Sequence, residues 1–263
     1  MIALAAVAVV VAIAAVFVIV KVSTGSSGGS AAGSAPTSGG TRLSAAQYAA
    51  VTSPSVTTLA QAAKNYDHES LAYPSKITDH PLSTKGKPEV LYIGAEYCPF
   101  CATERWPLIL ALSKFGTFGG LSEIHSNTSD AGIEHLATLS FYQSGYTSKY
   151  LAFKPVEMQN TLGQTLDTPT KSEIALLKKY TGGDIPLVDM DGKFAITSAE
   201  LDAHLLAGLD QSEIIEQVKA GTSTLAANID ADAGAIISNL CQLTGGRPGN
   251  VCSAFPNRIQ SPS

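Results

Sequence analysis

Ile93-Gly94-Ala95-Glu96-Tyr97-Cys98-Pro99-Phe100-Cys101 is the stretch on which the reading of this chain turns. It completes a strand predicted over Glu89 to Ala95, whose centre, Val90-Leu91-Tyr92-Ile93, is continuously apolar. A run of that kind is expected of a strand covered on both faces. The Cys-Pro-Phe-Cys unit follows at once and opens into a predicted helix, Ala102 to Phe115, interrupted by Pro107. Cys98 therefore falls at a helix N-terminus, where unpaired backbone N–H groups and the helix dipole favour a thiolate. Cys101, one turn on, is placed to resolve a mixed disulfide made by Cys98. Pro99 costs little here, because the first N–H groups of a helix have no partner to lose.

A C-x-x-C pair can also be half of a zinc site. The other two cysteines, Cys241 and Cys252, do not form a second close pair, and His68, His80, His125, His135 and His204 are dispersed. No metal and no other cofactor is expected. Cys241 and Cys252 bracket Gly245-Gly246-Arg247-Pro248-Gly249, a turn that lets them meet. A structural disulfide is the plain expectation for them; a shuttle pair exchanging with Cys98 is the sharper one. Either favours an oxidising compartment.

Around this centre the other elements alternate. Ser44 to Tyr66 reads as helical, broken at Pro54, and residues 44–86 form a helical lead-in. Short strands are expected at Leu121 to Asn127, Thr138 to Tyr142 and Tyr150 to Val156. Thr170-Lys171-Ser172-Glu173 is a capping box opening a helix to Tyr180, which Gly182 and Gly183 end. Ile185 to Met190 and Lys193 to Ile196 read as a hairpin turning at Asp191-Gly192. A second capping box, Thr197 to Glu200, is expected to start helices running to about Ala220. An amphipathic helix from Ser223 to Leu243 leads a terminal segment, 223–263.

The N-terminus is of another kind. Ile2 to Val20 contains only Ala, Val, Ile, Leu and Phe, and as a helix would span roughly 29 Å, close to the thickness of a bilayer core. Residues 1–22 are read as an uncleaved membrane anchor. A cleaved signal peptide is the rival, but the apolar run is long and no basic segment precedes it. Lys21 and Arg42 on the C-terminal side would naively put the body in the cytosol, so a start upstream of Met1 is expected. Ser23 to Thr41 holds only Ser, Thr, Gly, Ala and Pro, and residues 23–43 are a flexible tether with a reach of about 25 Å.

The strand-to-Cys98 segment resembles the thioredoxin superfamily, with Ala95-Glu96-Tyr97-Cys98 close to thioredoxin and Cys-Pro-aromatic-Cys closer to glutaredoxins and periplasmic disulfide oxidases. Asp184-Ile185-Pro186-Leu187-Val188 resembles the segment whose cis-proline faces the active-site disulfide. The resemblance implies an α/β, thioredoxin-like fold over residues 87–222, a cis Ile185–Pro186 bond, and substrate pairing at Ile185 and Pro186. Tyr92 to Asp130, Tyr146 to Tyr150 and Phe153 to Glu157 resemble the DUF929 family, whose members look membrane-tethered and carry no established activity.

Two departures bear on mechanism. Thioredoxins have a buried Asp where this chain has Tyr92, so a proton for Cys101 must come from Glu96, water or elsewhere. The two motifs are also much further apart than in thioredoxin, which implies an insertion near 130–170. Glu104 and Arg105 are read as a solvated helix face, with tuning of the thiols as the alternative. Trp106 is read as core. Phe141, Tyr142, Tyr146, Tyr150 and Phe153 are expected to pack the insertion.

The chain carries 17 Lys and Arg against 22 Asp and Glu, a net charge of −5, with no basic stripe, so nucleic acid is not an expected partner. The resulting expectation is a membrane-anchored, extracytoplasmic thiol–disulfide oxidoreductase acting on protein thiols or disulfides, with Cys98 as nucleophile and Cys101 as resolving thiol. A membrane redox partner is a further candidate, and the bilayer is met through residues 2–20. The alternative is a non-catalytic binding or scaffold module in which the cysteine pairs are structural.

Overall fold

The computed structural model describes residues 40–65, 74–127, 132–199 and 201–255. The apolar run Ile2–Val20 and nearly all of the tether lie outside them. No helix among the described residues is long and apolar enough to cross a membrane.

The described residues open with helices α1 (Ala45–Val51) and α2 (Val56–Asn65), separated at Pro54 as its fixed backbone requires. Strands β1 (Ser75–Lys76), β2 (Ser83–Thr84) and β3 (Lys87–Gly94) lead to helix α3 (Pro99–Ser113). Four short strands follow: β4 (Gly116–Gly119), β5 (Ser122–His125), β6 (Ala137–Ser140) and β7 (Gly145–Ser148). The main sheet resumes with β8 (Ala152–Glu157), then helix α4 (Lys171–Thr181), β9 (Leu187–Met190) and β10 (Phe194–Ile196). Helices α5 (Gln211–Ala220), α6 (Thr224–Leu243) and α7 (Gly249–Cys252) close the chain. The molecule is mixed α/β.

The main sheet runs β1-β10-β9-β3-β8, with β2 joined to the first two residues of β3. Strand β3 is central, parallel to β8 and antiparallel to β9, so that Tyr92 stands between Pro155 and Val188. Pro155 cannot donate to a ladder, and β8 accommodates it because its other edge is unpaired by the main sheet.

Side chains along β3 alternate between two apolar clusters, as strand geometry demands. Val90 and Tyr92 enter the larger cluster with α3, α5 and α6, while Leu91 and Ile93 meet Val156, Leu177 and Leu187 on the opposite face. The continuous apolar run of β3 is explained by these two covers.

The strands between α3 and β8 form two small antiparallel pairs, β4 with β7 and β5 with β6. They occupy Gly116–Ser148 and overlap the interval 130–170 only in part. Strand β7 has no counterpart in the sequence reading. Phe141, Tyr146 and Phe153 do pack here, joined by Phe118, with ring centroids 4.9 to 5.9 Å apart.

Helix starts were only partly legible. Thr170 and Glu173 form the expected capping box, and Gly182 ends α4 in the left-handed conformation. Thr197 starts no helix among the described residues. The next helical turn, Ala203–Leu206, is capped by Asp202, and α5 is opened by a box of Asp210 and Glu213. Asp191 and Gly192 take positive φ values of 58° and 65°, as the tight turn between β9 and β10 requires.

Helix α6 differs most from expectation. It is not amphipathic in place: nearly every residue from Leu225 to Cys241 is buried, including Asp230 and Asp232. Its small residues allow this. A Cβ on Gly234 would lie 2.3 Å from the Leu59 carbonyl oxygen of α2, so the two helices meet at backbone distance.

Candidate active site at Cys98 and Cys101

Strand β3 delivers the chain to Cys98, which is the N-cap of α3 in extended conformation, with Pro99 as the first helical residue. The Cys98 Sγ accepts a hydrogen bond from the Cys101 backbone N–H at 3.2 Å. Cys98 and Cys101 both carry free thiols. Cys98 retains 4% exposure and Cys101 none. The pair is thus chemically unequal. Hydrogen bonding from Cys101 pulls the Cys98 thiol below its ordinary value against the opposing effect of burial, and the positive charge of Arg105 adds to this. Burial, then the neighbouring Cys98, push the Cys101 thiol well above its ordinary value. Of the two thiols, Cys98 gives up its proton the more readily and Cys101 holds its own the more firmly.

The Ile185–Pro186 peptide bond is cis. It brings the Ile185 carbonyl oxygen within 3.7 Å of the Cys98 Sγ, which donates to it. The two segments singled out in the sequence therefore meet at one sulfur atom. A groove of about 650 Å³ opens beside them, its lining including Tyr97, Phe100, Met158, Asp184 and Ile185. Phe100, between the two cysteines, leaves 47% of its surface to solvent.

Beneath the pair lies a charged assembly that includes Glu104 and Arg105, for which the sequence favours a solvated helix face over tuning of the thiols. Arg105 is fully buried, as is Glu104, because α3 is enclosed between the sheet and α6. The Arg105 guanidinium donates to both Glu157 carboxylate oxygens, Nε to Oε1 at 2.9 Å and Nη2 to Oε2 at 2.8 Å. Nη2 also reaches the Ala95 carbonyl at 2.8 Å, the same oxygen that accepts the Cys98 backbone N–H at 3.2 Å. Burial disfavours the cation, but the charge and hydrogen bonds of Glu157, with Tyr92 and Cys101 close by, together outweigh it and hold Arg105 protonated.

Tyr92 lies under the guanidinium, its ring centroid 5.6 Å from the Arg105 Cζ. Burial raises the Tyr92 phenol well above its ordinary value, so it is neutral. Glu96 is also buried, and its Oε1 accepts the Ser140 hydroxyl proton. Trp106 is core, as read, with its indole N–H on the Ala137 carbonyl at 3.2 Å.

The Arg105–Glu157 pair had no local signal, since its partners lie on different elements far apart in sequence. The available hints were a glutamate closing an apolar strand and an arginine one helical turn beyond Cys101. Asp189 accepts the Gly192 N–H at 2.7 Å and Asp191 pairs with Lys193. No group of potential ligands that could hold a metal ion occurs among the described residues. The second cysteine pair, Cys241 and Cys252, is joined as a disulfide tying α6 to α7.

No curated protein and no solved structure matches the chain. Residues 73–181, which carry Cys98, Cys101, Arg105 and Glu157, match the model of the family described as a domain of unknown function, DUF929.

Proposed function

We propose that this chain is a thioredoxin-like thiol–disulfide oxidoreductase that exchanges disulfides with protein cysteines. The observation that carries the reading is the position of Cys98, with its sulfur between the Cys101 N–H and the carbonyl of the cis Ile185–Pro186 unit. The element order supports it: a parallel β3-α3-β8 unit, then α4, then the β9–β10 hairpin returning antiparallel beside β3. The Cys98 thiolate attacks one sulfur of a substrate disulfide and the other leaves as a thiolate. Cys101 then loses its proton, attacks Cys98 and releases the first substrate sulfur, closing the Cys98–Cys101 disulfide. Ile185 and Pro186 position the substrate chain. Tethering outside the cytosol belongs to the same reading: the apolar run Ile2–Val20 supports the anchor, and the Cys241–Cys252 disulfide, a bond that persists in oxidising compartments, supports the side of the membrane.

Trapping tests the proposal. A Cys101→Ala variant of the full chain is expected to accumulate mixed disulfides through Cys98, seen as thiol-sensitive adducts on non-reducing gels. Absence of adducts, together with no exchange between the wild-type chain and insulin, overturns it.

A further inference from the structure

We infer that the Cys98–Cys101 pair works as a disulfide donor, oxidising substrate dithiols, and that Arg105 is the positioning residue that sets this direction. The inference rests on the exchange chemistry proposed above and adds its direction.

The direction of such a centre follows from how far its surroundings favour the dithiol form over the disulfide. Whatever stabilises a thiolate without helping the disulfide makes the pair more oxidising. Three features act on the thiolate. The Cys98 sulfur accepts the Cys101 N–H at 3.2 Å. It caps α3, a helix of 15 residues whose dipole is positive at that end. Below it sits the Arg105 cation, four residues beyond Cys101 and so on the same helix face. Ala95 fixes that cation in place, because its carbonyl oxygen holds the Cys98 N–H and the Arg105 Nη2 together.

The groups that could oppose this charge can be named, beginning with the Ile185 carbonyl oxygen, which accepts the Cys98 S–H at 3.7 Å and favours the thiol form. From β3, Tyr92 stands where a thioredoxin-like site would carry an acid, and it is a neutral phenol. From the turn come Tyr97 and Glu96, whose Oε1 is engaged by Ser140. From α3 comes Glu104, from β8 Glu157, and from the loop before β9 Asp184, which lines the groove. Glu157 takes only the Nε and Nη2 edge of the guanidinium. Arg105 Nη1 is fully buried and has no acceptor among the described residues. A cation with a donor to spare, held away from water, acts more strongly than one on a surface.

The two thiols are free in this structure, so a disulfide-bearing oxidant such as glutathione disulfide first takes two electrons from them and closes the Cys98–Cys101 bond; the transfer from that bond then balances. A substrate thiolate attacks Cys98 of the Cys98–Cys101 disulfide; that bond breaks and Cys101 leaves with the electron pair beside Arg105, then takes up a proton. The second substrate thiolate attacks the substrate sulfur of the mixed disulfide, and Cys98 leaves as a thiolate, the better leaving group of the two. One disulfide is lost and one gained, with two electrons passing from substrate to protein.

The test equilibrates the full chain with glutathione buffers of graded ratio, alongside thioredoxin, and reads the oxidised fraction by alkylation. The wild-type pair is expected to be at least a hundredfold more oxidising than thioredoxin, and the Arg105→Lys variant to stay within threefold of wild type. Arg105→Met/Glu157→Leu, which removes both buried charges together, is expected to shift the equilibrium at least tenfold towards the disulfide, about 30 mV for this two-electron couple. Near-ultraviolet circular dichroism confirms that each variant is folded. If the double variant does not fold, the wild-type and Arg105→Lys values decide. A wild-type equilibrium equal to or more reducing than that of thioredoxin overturns the donor assignment and leaves the exchange reading standing. A folded double variant within twofold of wild type overturns the role of Arg105. No exchange with glutathione at any ratio overturns both.

Discussion

Arg105 and Glu157 face each other through two parallel hydrogen bonds of 2.9 and 2.8 Å, with neither side chain reaching solvent. The pair links α3, which bears the two thiols, to β8, the strand parallel to β3. Removing one partner strands a buried charge, whereas removing both need not. Glu157→Leu alone is expected to lower unfolding free energy by about 3–5 kcal/mol, and Arg105→Met/Glu157→Leu to restore much of it. Urea denaturation of the three proteins measures this; a single variant as stable as wild type would contradict the geometry.

Cys98 is expected to be the reactive thiol of the reduced protein. Its hydrogen bond from Cys101 and the Arg105 charge favour the thiolate, so the rate of alkylation should reach half its maximum below the value for a free cysteine, about 8.5. Cys101 should remain unmodified until far higher pH, because burial and Cys98 hold its proton. Because the folded value of Cys98 lies below the unfolded one, the reduced protein should gain stability as pH rises through the folded value towards the unfolded one. Mass spectrometry of pH-jump alkylation distinguishes the two sulfurs; equal labelling would be inconsistent with this asymmetry.

Asp232 lies inside α6 with neither carboxyl oxygen hydrogen-bonded among the described residues, and burial drives its carboxyl well above the usual range. The folded chain therefore holds this proton more tightly than the unfolded chain does. Stability from this group is present at acid pH and is lost as pH climbs from about 4 through the folded value. Asp232→Asn should raise stability at pH 7 by about 1–3 kcal/mol and leave it unchanged at pH 4. Denaturation at the two pH values reads this directly.

Gly234 lets α6 approach α2. An added methyl group would meet the Leu59 carbonyl at 2.3 Å and the Ala63 Cβ at 2.7 Å, both of which belong to a helix rather than a flexible tip. Gly234→Ala should gain helix propensity yet lose about 1–3 kcal/mol net, because the helices must separate. An increase in melting temperature would show that the contact is looser than this.

What the sequence by itself determined was local. The strand running into Cys98, the Thr170–Glu173 box, the Gly182 stop and the Asp191-Gly192 turn each depend on atoms a few residues apart, so their chemistry is visible in a short window. The same window misled at Thr197, where the S/T-x-x-E pattern is present but no described residue continues a helix; Asp202 and Asp210 take over. Only the tertiary structure decided what surrounds the dithiol. Whether Arg105 is a surface charge or a buried cation depends on α6 closing over α3. Whether it has a partner depends on Glu157 arriving on a strand paired in register with β3. Whether α6 is a terminal appendage or a central helix depends on Gly234 meeting Leu59. Burial and long-range pairing are properties of the assembled chain, and they turn a recognisable Cys-Pro-Phe-Cys into a centre with one activated sulfur.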